Sequence, residues 1–293
     1  MAPRLLILGA LSVVLAGCGS ETAQRTDRET ATTPPSKQPA TRPAEQRPRR
    51  APRPERPVPS APVRAEAIQE GSGKGRRIAL TFDADMTPQM LDDLEEGRVQ
   101  SWYERRIIRT LRKTRTPATL FLAGLWARTY PRETRALARD GLFEIASHTY
   151  DHLAWTSDCY GLPTVEGEEA KRAEVTRTAG LLERLTGRMP RYFRFPGLCH
   201  EQADLDLVAG IDEQAVDGIG SGDAFQEDPA AIVSSTLEQV RPGSIVVMHM
   251  MGGPNAPATA AALEELIPAV RERGYRFATV TELLEGGARP SDD

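Results

Sequence analysis

Four histidines occur in 293 residues, His148, His152, His200 and His249, and each follows shortly after an apolar run that reads as a strand. In Ser147-His148-Thr149-Tyr150-Asp151-His152 two imidazoles stand four residues apart, which on a helical turn puts both on one face, as a shared metal ion requires. The competing reading is a pair of exposed or hydrogen-bonded histidines. In Thr81-Phe82-Asp83-Ala84-Asp85 the alternation of a strand turns Asp83 and Asp85 to one side. One carboxylate could complete a His-His-carboxylate metal site and the other act as a base, unless Asp85 only caps the turn that follows. In Tyr192-Phe193-Arg194-Phe195-Pro196-Gly197 the arginine can hold a carboxylate in place, and the Pro-Gly turn can aim backbone N–H groups at an oxyanion. Gly243-Ser244-Ile245-Val246-Val247-Met248-His249 is an apolar strand ending in one histidine, a setting for a general acid or for a buried structural imidazole.

Such groups need a frame that gathers strand ends. Strands are expected at Ile78–Phe82, 118–122, 143–146, 192–193, 214–216, 245–248 and 277–278. A long helix should start at Thr87-Pro88, where Thr caps and Pro fits the first turn. Further helices are expected over 126–139, 167–185, 230–240 and 259–273. Strand and helix in alternation imply an α/β protein with a parallel sheet. About seven units in this length favour a small β/α barrel, closed or incomplete, over an open doubly wound sheet. No Gly-x-Gly-x-x-Gly turn points to a dinucleotide.

In this order the four segments resemble the polysaccharide deacetylase family, also called carbohydrate esterase family 4 or the NodB-homology domain, over about residues 76–285. The resemblance implies a distorted β/α barrel, one divalent metal, usually zinc, and removal of N- or O-acetyl groups from polysaccharides. Carried over by position, it makes His148 and His152 metal ligands, Asp83 the general base and Arg194 the residue that positions it. His249 becomes the general acid, and the Gly197 N–H an oxyanion donor. Two departures stand out. The family's first motif usually reads Thr-Phe-Asp-Asp-Gly-Pro, with the second Asp on the metal; here that place is Ala84. Either Asp85 reaches the metal through a differently turned loop, or the site has lost a ligand. The family's fourth motif has an Asp beside a Trp to support the general acid. Here Val216-Asp217-Gly218-Ile219-Gly220-Ser221-Gly222-Asp223 has no Trp, and Asp217 is preferred to Asp223 because it directly follows a strand. His200 has no counterpart; contact with substrate or metal and a plain loop role stay open. Gly252-Gly253-Pro254-Asn255 is a rigid turn that could wall an acetate pocket.

The rest of the chain speaks to location. Arg4, an apolar run from Leu5 to Leu15 and then Leu15-Ala16-Gly17-Cys18 read as a bacterial lipoprotein signal over 1–18, with Cys18 lipidated as the mature N-terminus. Eleven apolar residues are too few to span a bilayer. Residues 19–75 hold ten prolines between Pro34 and Pro62 and no hydrophobic period, so a disordered spacer is expected, with a disordered tail at 286–293. Setting Cys18 aside leaves Cys159 and Cys199, a pair expected to bridge in an oxidising compartment. The net charge of −4 divides into +7 over residues 1–77 and −11 over the remainder. An acidic domain argues against nucleic acid as a partner. The expected protein is an exported, membrane-anchored monomer acting on acetylated polysaccharide, with N-acetyl groups of peptidoglycan the favoured target by location alone. An esterase for O-acetylated carbohydrate and a glycan-binding protein with a decayed metal site are the alternatives.

Overall fold

The computed structural model describes residues 65–286. The expected signal peptide and lipobox, most of the Pro-rich spacer and nearly all of the tail lie outside the described residues. The fold starts earlier than the expected boundary at 76. Ile68 pairs with Val216 in a parallel bridge, and the Gly71 N–H donates to the Gly243 carbonyl at 2.8 Å. Backbone pairing needs no side-chain period, so composition could not mark this edge.

Eight parallel strands build the frame: β1 (Arg77–Ala84), β2 (Ala118–Leu122), β3 (Phe143–Ser147), β4 (Tyr192–Phe193), β5 (Gln214–Ala215), β6 (Ile219–Gly220), β7 (Ile245–His249) and β8 (Arg276–Ala278). Their order is β5-β4-β3-β2-β1-β7-β6, with β8 paired to residues 77–79 of β1. The edges β5 and β6 are neighbours in sequence, separated by residues 216–218 alone. Three residues of extended chain reach about 10 Å, so the sheet curls until its edges nearly meet. The result is an incomplete, distorted β/α barrel. Strand β6 went unrecognised because Ile219-Gly220 carries no strand pattern.

Every residue of β1 is buried, and alternation divides its faces. Ile78, Leu80, Phe82 and Ala84 join the apolar layer under the helices. The inner face runs from Ala79, packed with Phe121, Ala146, Tyr192 and Ile245, through Thr81 to Asp83. An apolar plug therefore closes one end of the barrel, and polar groups collect at the strand C-termini.

The helices are α1 (Pro88–Glu95), α2 (Arg105–Lys113), α3 (Gly124–Thr129), α4 (Pro131–Arg139), α5 (Glu168–Thr186), α6 (Gln202–Ala209), α7 (Pro229–Gln239), α8 (Thr259–Glu272) and α9 (Val280–Glu285). Thr87 caps α1 through its side chain, as expected, but α1 spans eight residues rather than a long helix. It ends before Gly97, whose φ of 74° leaves the right-handed helical region. The helix expected over 126–139 is two helices, divided before Pro131. No described helix is long and apolar enough to cross a membrane.

Candidate metal and catalytic site

A cleft of about 470 Å³ opens at the strand C-termini and is lined by Asp83, Asp85, His148, His152, Gly197, Asp223 and His249, among others. Asp83 ends the inward-facing row of β1, and Asp85 follows on the same side, as alternation predicts. Ala84 points the other way, into the helix-side core. A carboxylate at position 84 would face hydrocarbon; the departure from the usual motif moves the acid one residue along, onto the cleft side.

Asp85 Oδ1 lies 3.3 Å from His148 Nε2 and 3.4 Å from His152 Nε2. Asp85, His148 and His152 are all buried and offer one ligand atom each within a single small cluster. Asp85 Oδ1 has no hydrogen-bond partner although it is buried, a costly state unless something else neutralises it. His148 Nδ1 is 2.8 Å from the Arg194 carbonyl. A carbonyl only accepts, so Nδ1 carries the proton and Nε2 presents its lone pair to the cleft. Ligand atoms at the corners of a tetrahedron with bonds of about 2.05 Å are about 3.3–3.4 Å apart, and the two separations from Asp85 match. The donor set therefore fits a divalent metal and leaves a coordination position open.

The electrostatics agree. Burial opposes a charge on Asp85, but His152, His148 and His249 outweigh it and hold the carboxyl well below its ordinary range. Burial also opposes a proton on His148, yet Asp83 and Asp85 raise its pKa. Burial dominates at His152, whose pKa drops to about 4 and whose imidazole is neutral, as a ligand must be. The cluster attracts a cation.

The histidines do not stand on a helical turn, contrary to expectation. Residues 148–152 form an irregular loop with Thr149 at φ 52° and His152 at φ 54°. Side chains with a Cβ rarely adopt this left-handed region, so neighbours must enforce it. Glu174 of α5 accepts the N–H groups of Tyr150 and Asp151 at 2.9 Å each. Thr178 donates to the Thr149 carbonyl at 2.7 Å. The Gly124 and Leu125 N–H groups of α3 hold the Thr149 and Tyr150 carbonyls. A Cβ at Gly124 would sit 2.3 Å from the Tyr150 ring, so only glycine allows this approach. Neither Glu174 nor Thr178 carried a signal in the sequence, because each acts on a loop more than twenty residues away.

Arg194 is fully buried. Its Nη1 donates to Asp83 Oδ1 at 2.7 Å and to Thr81 Oγ1 at 2.8 Å. Its Nε donates to the Val216 carbonyl at 3.0 Å, and its Nη2 to that of Asp217 at 3.3 Å. Below it lies the Phe121 ring, 3.9 Å from the guanidinium carbon. A planar fork used on three sides cannot be replaced by lysine without orphaning carbonyls. Asp83 Oδ2 stays free toward the metal cluster, 3.9 Å from His148 Nε2.

The acid beside His249 is Asp223, which corrects the preference for Asp217. Asp223 Oδ1 is 2.8 Å from His249 Nδ1, and Oδ2 accepts from the His249 N–H and from Thr259 Oγ1. Burial works against the imidazolium, but Asp223 overcomes it with help from Asp85 and Asp83, so the His249 pKa rises to about 10. Asp217 instead pairs with His200 Nε2 at 3.0 Å and accepts from Gln69 at 2.7 Å. Adjacency to a strand misled the choice: the chain crosses from β5 to β6 over residues 216–218, runs beside β7 as β6, and only past β6 reaches the His249 end of β7.

Gly197 adopts φ 62° in a 3-10 turn at Pro196–Leu198 on the cleft wall. Cys159 and Cys199 form a disulfide linking the loop after β3 to this turn. A Cβ at Gly197 would lie 2.5 Å from Cys159 Sγ, so the bridge packs directly on the glycine. Tyr160, beside the bridge, and Phe225 are both largely exposed on the cleft, with ring centroids 5.3 Å apart. Asn255 and Pro254 line the cleft as well.

Residues 70–211 match the family model for polysaccharide deacetylase. A chitooligosaccharide deacetylase of Sinorhizobium fredii is 31% identical over 219 residues, covering 70% of this chain and 90% of the relative. A peptidoglycan-N-acetylglucosamine deacetylase of Bacillus cereus is 25% identical over 221 residues, 71% of this chain and 68% of its own length. The uncharacterized protein YlxY of Bacillus subtilis is 30% identical over 187 residues, 62% of this chain; the match spans about half, 53%, of that protein. A crystal structure of a peptidoglycan N-acetylglucosamine deacetylase has the same fold, with a TM-score of 0.63 at 23% identity over 75% of this chain and 92% of the other.

Proposed function

This chain belongs to the polysaccharide deacetylase family, and from that premise we propose that it is a metal-dependent hydrolase that removes acetyl groups from a polysaccharide, N-acetyl groups of peptidoglycan foremost. The observation that carries the reading is the convergence of Asp85, His148 and His152 on one point, with Asp83 Oδ2 3.9 Å from His148 Nε2 and His249 Nε2 4.0 Å from Asp85 Oδ2.

Asp85, His148 and His152 would hold the metal, and zinc suits two imidazoles and a carboxylate at tetrahedral spacing. When bound, the metal supplies Lewis acidity that acidifies a water and polarises the acetyl carbonyl. Arg194 fixes Asp83 so that its free oxygen can take the proton of the attacking water. Gly197 lines the cleft, and its N–H would donate to the developing oxyanion. His249, charged at neutral pH with Asp223 at its Nδ1, gives the Nε2 proton to the departing sugar amine. The exposed rings of Tyr160 and Phe225 offer apolar faces at the mouth, suited to a pyranose.

The decayed-site alternative rested on Ala84, and Asp85 beside both imidazoles takes that ground away. The disulfide suits an oxidising, extracytoplasmic compartment, where the peptidoglycan-directed relative's substrate lies. A lipid anchor at Cys18 would hold the enzyme there; Cys18→Ala should release the protein from membranes or block its processing. Wild-type protein that is soluble with an unlipidated N-terminus refutes the anchor.

The test is metal analysis coupled to acetate release from N-acetylated glycan oligomers, peptidoglycan and acetyl esters. Acetate release lost with a chelator and restored by zinc is expected. A stoichiometric metal without acetate release from any of these substrates refutes the reading.

A further inference from the structure

Between residues 105 and 139 the chain carries nine arginines and one lysine against one acid, Glu133, although residues 78–293 together are strongly acidic. On α2, Arg105, Arg109 and Arg112 follow at i, i+4 and i+7; on α4, Arg132, Arg135 and Arg139 follow at i, i+3 and i+7. Each trio therefore forms a stripe along one helix face. The helices run side by side in the same direction. Arg105 meets Glu133 at 3.0 Å near one end, and Arg112 meets Asp140 at 2.7 Å near the other.

A cleft of about 440 Å³ lies between them, with Arg105, Arg109, Arg112 and Arg132 on its walls and the buried Ile108 and Leu137 beneath. Arg109 and Arg132 are exposed and have no acidic partner among the described residues. Like charges at i,i+3 and i,i+4 cost an isolated helix about 0.2–0.5 kcal/mol per pair. No ion pair or hydrogen bond among the described residues engages Arg109 between Arg105 and Arg112, which leaves its guanidinium available to a ligand.

We propose that this cleft docks a linear polymer carrying a chain of phosphate groups. Arginine outnumbers lysine nine to one, and its planar fork binds phosphate oxygens in pairs. Guanidinium groups on two walls suit a strand lying between them better than a flat bilayer does. A bilayer-binding face normally presents apolar side chains for insertion. The large exposed hydrophobics among the described residues, Tyr160, Met189 and Phe225, all lie outside this cleft. The cleft also borders the reaction site: the Glu104 N–H, one residue before Arg105, donates to the carbonyl of Met250, which follows His249. A polymer held here would keep the enzyme beside its glycan without entering the catalytic cleft.

The test measures binding of long-chain inorganic polyphosphate to the full chain, with orthophosphate and phosphatidylglycerol vesicles as comparison probes. Neutralising four phosphates at about 0.7 counterions each predicts an affinity loss of about 50-fold between 50 and 200 mM salt. Arg109→Glu/Arg132→Glu should bind polyphosphate at least about tenfold more weakly and halve that salt dependence. Arg109→Gln/Arg132→Gln should fall between, and both variants should keep the wild-type melting temperature and acetate release. Polyphosphate binding unchanged in the charge-reversed variant overturns the proposal. So does a wild type that prefers orthophosphate, or one that binds the vesicles but not polyphosphate. Binding is read without acetate release, so this proposal and the proposed reaction fail separately.

Discussion

Asn in place of Asp223 keeps the size of the side chain and an acceptor for the His249 amide, and removes the charge 2.8 Å from its Nδ1. Burial disfavours the imidazolium, and Asp223 leads the groups that reverse this and raise the His249 pKa to about 10. A rise of that size from an ordinary value near 6.5 is on the order of 5 kcal/mol in favour of the charged ring. The ring therefore keeps its proton through neutral pH and loses it as pH climbs through about 10. If the ring in Asp223→Asn returns only to an ordinary pKa, about 3% stays protonated at pH 8, a loss of about 30-fold in the form that can donate. General acid catalysis is worth about 10²–10⁴-fold, which bounds the effect from above. The assay is kcat/KM for acetate release between pH 5.5 and 10.5. The wild type should keep activity until its alkaline limb near pH 10, and the limb of the variant should fall below pH 8. Asp217→Asn, which alters the pair with His200, should leave that limb in place. A limb unmoved in Asp223→Asn, or moved by Asp217→Asn instead, refutes the assignment of Asp223.

The two acids of the first motif separate by what they touch. Asp83→Asn should abolish turnover and keep the metal, whereas Asp85→Ala should weaken metal affinity, with activity partly restored by added metal. Metal content measured after dialysis decides between them, and the opposite pattern reverses the roles. Glu213 is a buried acid beside Ser147, and burial pushes its pKa to about 8. Its pKa is raised on folding, so the native state binds the extra proton and stability falls as pH rises from about 4.5 through 8, by a few kcal/mol at order of magnitude. Glu213→Gln should flatten that fall and raise the melting temperature at pH 9; a wild type equally stable at pH 5 and pH 9 would contradict it.

Much of the chemistry was legible in the sequence because it is local. Alternation along β1 put Asp83 and Asp85 on one side whatever surrounded them, and apolar runs such as Ile245–Met248 could be little but buried strands. The order of the four motifs then named the family. Setting Cys18 aside left Cys159 and Cys199 as the one expected pair, and the two are bridged. Short-range patterns failed where backbone conformation or long-range contact decided. The His148–His152 loop takes left-handed residues that α3 and α5 enforce, not the helical turn that their spacing suggested. Asp217 and Asp223 are six residues apart and chemically identical in sequence. Only curling the sheet until β6 lies against β7 brings one to His249 and leaves the other with His200. The arginines of α2 and α4 were visible as charge, but their alignment across one cleft exists only once the two helices pack side by side. A sequence states which groups are present and how a single element orients them; distances between elements follow from packing, and catalysis depends on those distances.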